Sequence, residues 1–535
     1  MSTTAAATAK ALASAGIDRV FGLPGGEVLV LMDELRRAGV DFVLMRHEAN
    51  AGLAAAVYGK LRRQPGVVVT TLGPGAANLM LPLSSSSLEQ EPLLAISAQI
   101  PDDFPSGHTH QLLPLDDVYR PVCKYVAKLT ADNVTEVVPD ALRAAASRPF
   151  GATFLTLSAR EAIRPANEMP RRPPAPRGAE RPGARHGNAE DEARKLTDAL
   201  RKAKRPLVLI GLGLDGSNAD PLRQWIRAWH LPVAVTPKAK GVVDETAATF
   251  VGTIGGMAAD GLMCDALKAA DLLIGFGLDP VEIDKTWHAE LPIHWVLEAP
   301  NAGGLVPTGA VLVDHPRLLD RLSAAAPPAR WELPFEEFQR KRRAMLRRPS
   351  GSSDTMWPGD LIDSLAAVMP PEAVVTTDVG SHKFLFGQFW PSRNPETFWM
   401  SNGLSGMGYG LAAAIGAKLA RPGVPVLAAV GDGGFSMNSQ ELETAERVGA
   451  PFVTIVLADR SYSLIKLAQE TRKLEPYRMD FNPIDSVKVA EACGVAGLRT
   501  SDPDQMATAV RKAVGENRSL VVEIPINYAD YRPLF

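Results

Sequence analysis

VPVLAAVGDGGFSMNSQELETAERVGAPFVTIVLADRSYSLIK, residues 424–466, decides the reading of the fold. One apolar run, Val424 to Val430, stops at Gly431-Asp432-Gly433-Gly434. A second, Phe452 to Leu457, stops at Ala458-Asp459-Arg460-Ser461-Tyr462. Between them a helix is expected from about Ser439, with Glu441 in its first turn. Short continuous apolar runs closed by Gly and Asp, alternating with helices, are the pattern of a parallel sheet covered on both faces. In such sheets ligands gather at the carboxyl ends of the strands, where both aspartates stand. If the strands are neighbours, the two carboxylates converge. Hard oxygen ligands suit Mg²⁺, which takes few protein ligands and shares phosphates. Gly431, Gly433 and Gly434 would let a diphosphate approach the backbone, and a following helix N-terminus favours its charge. Gly-Asp-Gly alone is also an ordinary turn. The second aspartate, 27 positions on at another strand end, makes the pair a candidate metal–diphosphate site.

The same alternation recurs upstream. Val67 to Leu72 (VVVTTL) and Leu93 to Ala98 (LLAISA) read as buried strands in a first block. PLVLIGL and DLLIGFG do so in a second, and VVTTDV joins the third. The expected fold class is α/β, with three domains each built on a parallel sheet flanked by helices. A Pro-, Arg- and Gly-dense stretch, PANEMPRRPPAPRGAERPGARHG, separates the first two blocks. A charged helix-like piece, FEEFQRKRRAM, followed by PSGSSDTMWPG, separates the last two. The expected boundaries are 1–162, a linker at 163–190, a central domain at 191–325, a linker at 326–357, and 358–535. The basic cluster Arg340-Lys341-Arg342-Arg343 is expected to be a solvated helix face.

Bulk composition excludes several function classes. The 535 residues allow roughly three or four domains. Apolar residues at 46% and charged residues at 22% are ordinary for a chain with sizeable cores. A net charge of −3 does not suit non-specific nucleic-acid binding. The three cysteines, Cys123, Cys264 and Cys493, form no CxxC, so no structural zinc or dithiol site is expected. The opening residues lack the apolar core of a secretory signal, and no apolar run reaches membrane-span length. A cytoplasmic protein without membrane or nucleic-acid partners is expected.

Other segments carry chemistry-bearing residues. RVFGLPGGEVLVLMDELRRAGVDFVLMRHEANAGLAAAVYGKL (Arg19–Leu61) places Glu48 at the start of a helix rich in small residues. Glu48 is a helix N-terminal charge or a sequestered acid; no second His follows at metalloprotease spacing. TTDVGSHKFLF sets Gly380, Ser381 and His382 after a strand. SNGLSGMGYGLAAAIGAKLA is a glycine-rich turn opening a small-residue helix, with Met407 readable as core. LIGLGLDG, with Gly211, Gly213 and Gly216, follows a strand in GxGxxG form but lacks a convincing acidic ribose ligand downstream.

GDG with its distant aspartate, GLPGG, RHE and LGPGAANL (Leu72–Leu79) together resemble the thiamine diphosphate-dependent 2-oxo acid decarboxylase/carboligase family, over nearly the whole chain. RHEANAG, THQ (Thr109–Gln111), RPVCKY (Arg120–Tyr125), GLDPVEID (Gly277–Asp284) and IPINYADYRPLF bring it nearest to catabolic-type acetolactate synthases. The resemblance implies a pyrimidine-binding first domain and a diphosphate-binding third domain. It implies Mg²⁺ held by Asp432, Asp459 and the Ser461 carbonyl. It assigns Glu48 to hydrogen-bond the aminopyrimidine ring, favouring the tautomer that removes the thiazolium C2 proton. It places the cofactor against Pro24, Gly25, Gly26, Gly73, Asn78, Gly380, Ser381, His382, Ser405, Met407, Gly431, Gly433, Gly434, Tyr462, Ser463, Leu464 and Ile465. Gln111 and Lys124 match positions near the substrate, where a lysine could hold a 2-oxo acid carboxylate; a surface Gln and Lys is the alternative.

Departures from the family pattern are definite. Ala458-Asp459 replaces the usual Asn-containing turn, Leu464 stands where Met is usual, and Ala468 stands where biosynthetic acetolactate synthases carry Trp. Decarboxylation of a pyruvate-like acid with carboligation is the expected activity. An aldehyde-forming decarboxylase, a catalytically silent binding or sensor protein, and a nicotinamide oxidoreductase are the alternatives. FAD in the central block is possible but unsupported. The resemblance further implies a homodimer or homotetramer with the active site at the chain interface, where the first block of one chain meets the third block of another.

Overall fold

The computed structural model describes residues 2–102, 104, 107, 110–166, 185–214, 216–257, 259–283, 293–300, 307–323, 331–349 and 355–534. Most of the first expected linker, Thr109 of the THQ segment and Asp284 of GLDPVEID lie outside the described residues.

Three parallel sheets carry the chain, as the apolar alternation predicts. The first holds β1 (Arg19–Leu23), β2 (Asp41–Leu44), β3 (Gly66–Thr70), β4 (Leu93–Gln99), β5 (Tyr125–Lys128) and β6 (Ala152–Ser158), in the order β2-β1-β3-β4-β6-β5. The central sheet holds β7 (Arg185–His186), β8 (Pro206–Ile210), β9 (Val233–Val235), β10 (Phe250–Thr253), β11 (Leu272–Phe276), β12 (Ile293–Leu297) and β13 (Val311–Leu312). Its order is β10-β9-β8-β11-β12-β13-β7. The third holds β14 (Val374–Thr377), β15 (Phe398–Met400), β16 (Val426–Gly431), β17 (Val453–Ala458), β18 (Ala496–Arg499) and β19 (Leu520–Pro525), ordered β15-β14-β16-β17-β19-β18. Every residue of β3, β6, β8 and β11 is buried, because helices cover both faces.

The chain forms two compact units. One joins the first sheet to Leu404–Gly423 and Gln440–Ala450, segments of the C-terminal block; the other contains the central and third sheets. Small residues explain the first grouping. Helices Glu48–Leu61 and Tyr409–Ala420 approach so closely that a Cβ on Gly416 would overlap the Ala54 carbonyl oxygen.

The structure departs from the sequence reading at three places. After β16 a helix begins at once, Asp432–Asn438, and a second follows at Glu441–Arg447. The second is the helix expected near Ser439, with Glu441 in its first turn; the first was not expected, and at its start the Asp432 carboxylate meets the unsatisfied Gly433 amide. The helix-like piece FEEFQRKRRAM is a helix, Phe335–Met345, as read from the sequence, with Phe338 buried. Within its basic cluster, Arg342 does not join a solvated face: it donates to the Gln388 carbonyl at 3.0 Å and lies over the Phe250 ring. Finally, Arg185–His186, at the end of the first expected linker, pairs with β13 as an edge strand.

Candidate cofactor site

β16 and β17 are hydrogen-bonded neighbours, in register from Leu427↔Val453 to Gly431↔Leu457. Asp432 and Asp459 therefore leave adjacent strand ends, which meets the condition for the two carboxylates to converge. Asp432 Oδ1 accepts the Gly433 amide at 2.9 Å, and Oδ2 accepts the Arg460 amide at 2.8 Å. Asp459 Oδ1 accepts the Ser461 amide at 3.1 Å. Burial pushes the Asp432 carboxyl up to about 6. Burial also pushes Asp459 up to about 7, with the neighbouring Asp432 charge adding to it. Tyr531, fully buried in the C-terminal segment, is held well above its usual range by burial and then by these two carboxylates. Two acids crowded together out of water form a place where a cation would relieve the repulsion.

His382 lies beside this pair. Its imidazole sits against Gly380 and Gly431: a Cβ on either would come within 2.7 or 2.9 Å of His382 Cε1. Burial lowers its pKa to about 3, so the ring is neutral at physiological pH. Nε2 is buried and has no hydrogen-bond partner among the described residues. A buried orphan nitrogen calls for an incoming partner. Ser381 and Ser463 hydroxyls meet at 2.8 Å, joining the turn after β14 to the helix Ser463–Thr471. Gly434 is packed so tightly that a Cβ would collide with Asp378 Oδ2. An orphan ring nitrogen, a glycine cradle at a helix start and two adjacent carboxylates fit a metal-bound diphosphate. Among the described residues no three His, Cys, Asp or Glu side chains gather as a metal cluster.

Around the first sheet the structure brings together a second group. Glu48 is the first residue of the helix Glu48–Leu61 and is 6% exposed. It is thus both a helix N-terminal charge and a sequestered acid. Its Oε2 accepts Asn78 Nδ2 at 2.9 Å. Gly75 stands close by, where a Cβ would approach Glu48 Oε1 to 3.3 Å. Gly73 has φ +59°, and the Gln111 side chain lies against it. Pro24, Gly25 and Gly26 follow β1, with Gly25 pressed on Thr71. Thr71 donates to Glu27 at 2.7 Å.

Lys124 is differently engaged. Its ammonium donates to Ser147 O, Ser147 Oγ and Pro149 O at 2.6–2.9 Å, and burial draws its pKa down to about 8. Ser405, in the left-handed region at φ 55°, and half-buried Met407 form the turn before the helix Tyr409–Ala420. Tyr462, Leu464 and Ile465 lie at the start of the helix after Asp459; Tyr462 and Ile465 are exposed, and the Tyr462 ring tilts against Phe481. Sequence reasoning did not single out Asp378 or Tyr531. A strand-terminal Asp378 beside Gly380 was a usable signal for the first; nothing local marked the second.

The GxGxxG turn of the central sheet satisfies its own amides. Gly211 and Gly213 donate to Phe276 and Gly277 carbonyls at 2.9 and 2.8 Å. Glu282 takes Leu212 N, the Thr236 hydroxyl and Lys238 N at 3.0, 2.6 and 2.9 Å, and burial pushes it up to about 7. A carboxylate thus takes the Leu212 amide of this turn, and strand-end carbonyls take those of Gly211 and Gly213.

No helix among the described residues is long and apolar enough to cross a membrane. Three family models match in chain order: thiamine pyrophosphate enzyme, N-terminal TPP binding domain, at residues 2–118; the central domain at 193–301; and the C-terminal TPP binding domain at 378–524. An acetolactate synthase of Bacillus subtilis is 30% identical, over 97% of this chain and 92% of its own. A catabolic acetolactate synthase of Raoultella terrigena is 28% identical, over 97% and 94%. The large subunit of acetolactate synthase isozyme 3 of Escherichia coli is 27% identical, over 98% and 94%. With its three matched domains and a relative at this identity over almost its full length, the chain belongs to the thiamine pyrophosphate-dependent enzymes, as an acetolactate synthase-like member of the lyase/transferase kind.

Proposed function

We propose that this enzyme uses thiamine diphosphate anchored by Mg²⁺ to decarboxylate a pyruvate-like 2-oxo acid and to join the remaining acyl fragment to an acceptor carbonyl. The observation that carries the reading is the meeting of Asp432 and Asp459 at adjacent strand ends, beside the orphan nitrogen of His382. Asp432, Asp459 and the Ser461 carbonyl would hold Mg²⁺. His382 Nε2 would donate to a diphosphate oxygen, with Gly380, Ser381, Gly431, Gly433, Gly434 and Ser463 around it. When bound, the cofactor supplies the nucleophilic carbon and the electron sink. Glu48 would hold and move a proton at Oε1, the oxygen that Asn78 leaves open, toward the pyrimidine ring.

In this reading residues 1–162 bind the pyrimidine and 358–535 the diphosphate, and the working unit is a homodimer or homotetramer in the cytoplasm. Gln111, at the Gly73 turn, contacts substrate. Lys124 does so only on release from Ser147 and Pro149. FAD stays unsupported, since Glu282 already takes the Leu212 amide of the central glycine turn. The test is direct. Purified protein is mixed with thiamine diphosphate, Mg²⁺ and pyruvate, CO₂ release is followed, and products are identified by mass spectrometry. Acetolactate supports the proposal. Acetaldehyde makes the enzyme a simple decarboxylase. Absence of CO₂ from a panel of 2-oxo acids refutes it.

A further inference from the structure

Glu441 begins the helix Glu441–Arg447 and is completely buried. A buried carboxylate is costly unless it is well hydrogen-bonded, and this one is. Its Oε1 accepts the Arg46 amide at 3.1 Å and Asn50 Nδ2 at 2.9 Å; its Oε2 accepts the Thr444 hydroxyl at 2.6 Å. Burial raises its pKa, and the donors Thr444, Asn50, Arg46 and the His47 amide oppose that rise. These partners have a pattern. Arg46 and His47 immediately precede Glu48, and Asn50 follows it by two. The amides at the start of a helix have no partner within it. His47 Nδ1 takes the Ala49 amide, and Glu441 takes those before it.

The same helix grips the segment at two further points. Arg46 pairs with Glu443 at 2.7 Å, and Arg447 donates to the Leu44 carbonyl at 2.7 Å. The Arg46–Glu443 pair is partly exposed, so it contributes little on its own. Glu441 is the desolvated anchor.

We propose that Glu441 is a positioning residue for Glu48: it holds the main chain just before the acid and the Asn50 side chain just after it, and so sets where the Glu48 carboxyl is presented to the cofactor. This rests on the proposed thiamine diphosphate chemistry. Displacement of a proton-transfer group by a fraction of an ångström is enough to slow the step. The Asn78 bond alone holds one oxygen of Glu48 and leaves its main chain free to shift.

The test uses full-length protein carrying Glu441→Gln or Asn50→Ala. Glutamine presents an amide donor to a set of groups that all donate, so one contact turns repulsive. Asn50→Ala removes a single donor and keeps the buried carboxylate paired with Arg46 and Thr444. Three quantities are measured: affinity for thiamine diphosphate with Mg²⁺ by calorimetry, hydrogen–deuterium exchange at C2 of the bound cofactor by quenched NMR, and backbone amide exchange over Leu44–Leu53. Glu441→Gln is expected to slow C2 exchange at least ~10-fold and Asn50→Ala about 3-fold. Affinity should stay within about 3-fold, and amides around Arg46–Asn50 should exchange faster. Should Glu441→Gln fail to fold, Asn50→Ala decides. Wild-type C2 exchange in the folded variants would show that Glu441 is only structural and overturn the proposal. A wild-type protein that binds no thiamine diphosphate would overturn the functional reading itself, and this inference with it.

Discussion

Asp432 Oδ2 accepts the Arg460 amide at 2.8 Å, so the acid ending one strand holds the turn that carries the second acid, Asp459. Asp432→Ala removes both a charge and this acceptor. Asp432→Asn removes the charge and can keep the acceptor. Both are expected to weaken thiamine diphosphate binding with Mg²⁺ at least ~10-fold, since the metal needs the anionic oxygen. Only the alanine variant should also lose thermal stability. Calorimetry and melting curves on the pair separate the two roles, and unchanged affinity in both variants would remove Asp432 from the metal site.

The same acids make the metal-free protein pH-sensitive. Asp432 and Asp459 are pushed up to about 6 and about 7 in the folded chain, against ~4 for an unfolded aspartate. Between about pH 4 and pH 7 the folded state therefore binds more protons than the unfolded state. Its stability falls as pH rises through that window. In EDTA the melting temperature is expected to drop by several degrees between pH 5 and pH 7.5. Asp459→Asn should flatten that dependence, because it removes one titrating group and the repulsion on the other. Equal pH slopes in wild type and variant would contradict the crowding of these acids.

Glu48→Gln keeps an oxygen to accept Asn78 Nδ2 but cannot hold a transferable proton at the other position. The expected loss in turnover is at least ~10²-fold, with folding and cofactor affinity near wild type. Steady-state kinetics beside calorimetry is the measurement. Near-wild-type turnover would remove Glu48 from the chemistry.

Gly416→Ala tests the helix approach in the first compact unit. In an open helix this change stabilises by about 1 kcal/mol. Here the added methyl would overlap the Ala54 carbonyl oxygen, a rigid backbone neighbour. Overpacking of this kind costs roughly 1–3 kcal/mol, so a net loss is expected in denaturant melts. A gain would mean that the two helices are not in such close contact.

Sequence alone determined the three parallel sheets, the carboxyl strand ends as the place of chemistry, and Asp432, Asp459 and Glu48 as the acids to watch. Those features are local: apolar runs of strand length, the Gly and Asp residues that end them, and small-residue helices. Tertiary structure alone decided which partners these residues meet. The resemblance places Lys124 near substrate, with a surface lysine as the alternative, yet its ammonium is bound by Ser147 and Pro149, 23 and 25 positions on, because that turn comes to lie beside it. Gly211 and Gly213 stand in GxGxxG form without a convincing acidic ribose ligand in the sequence; it is the fold that gives their amides to the Phe276 and Gly277 carbonyls and the amide between them to Glu282, about 70 residues away. Glu441 reads as a first-turn charge, yet it grips Asn50, 391 positions distant. Local periodicity says which face of an element is buried. It does not say against what, and the pairing of buried polar groups is settled only when the faces meet.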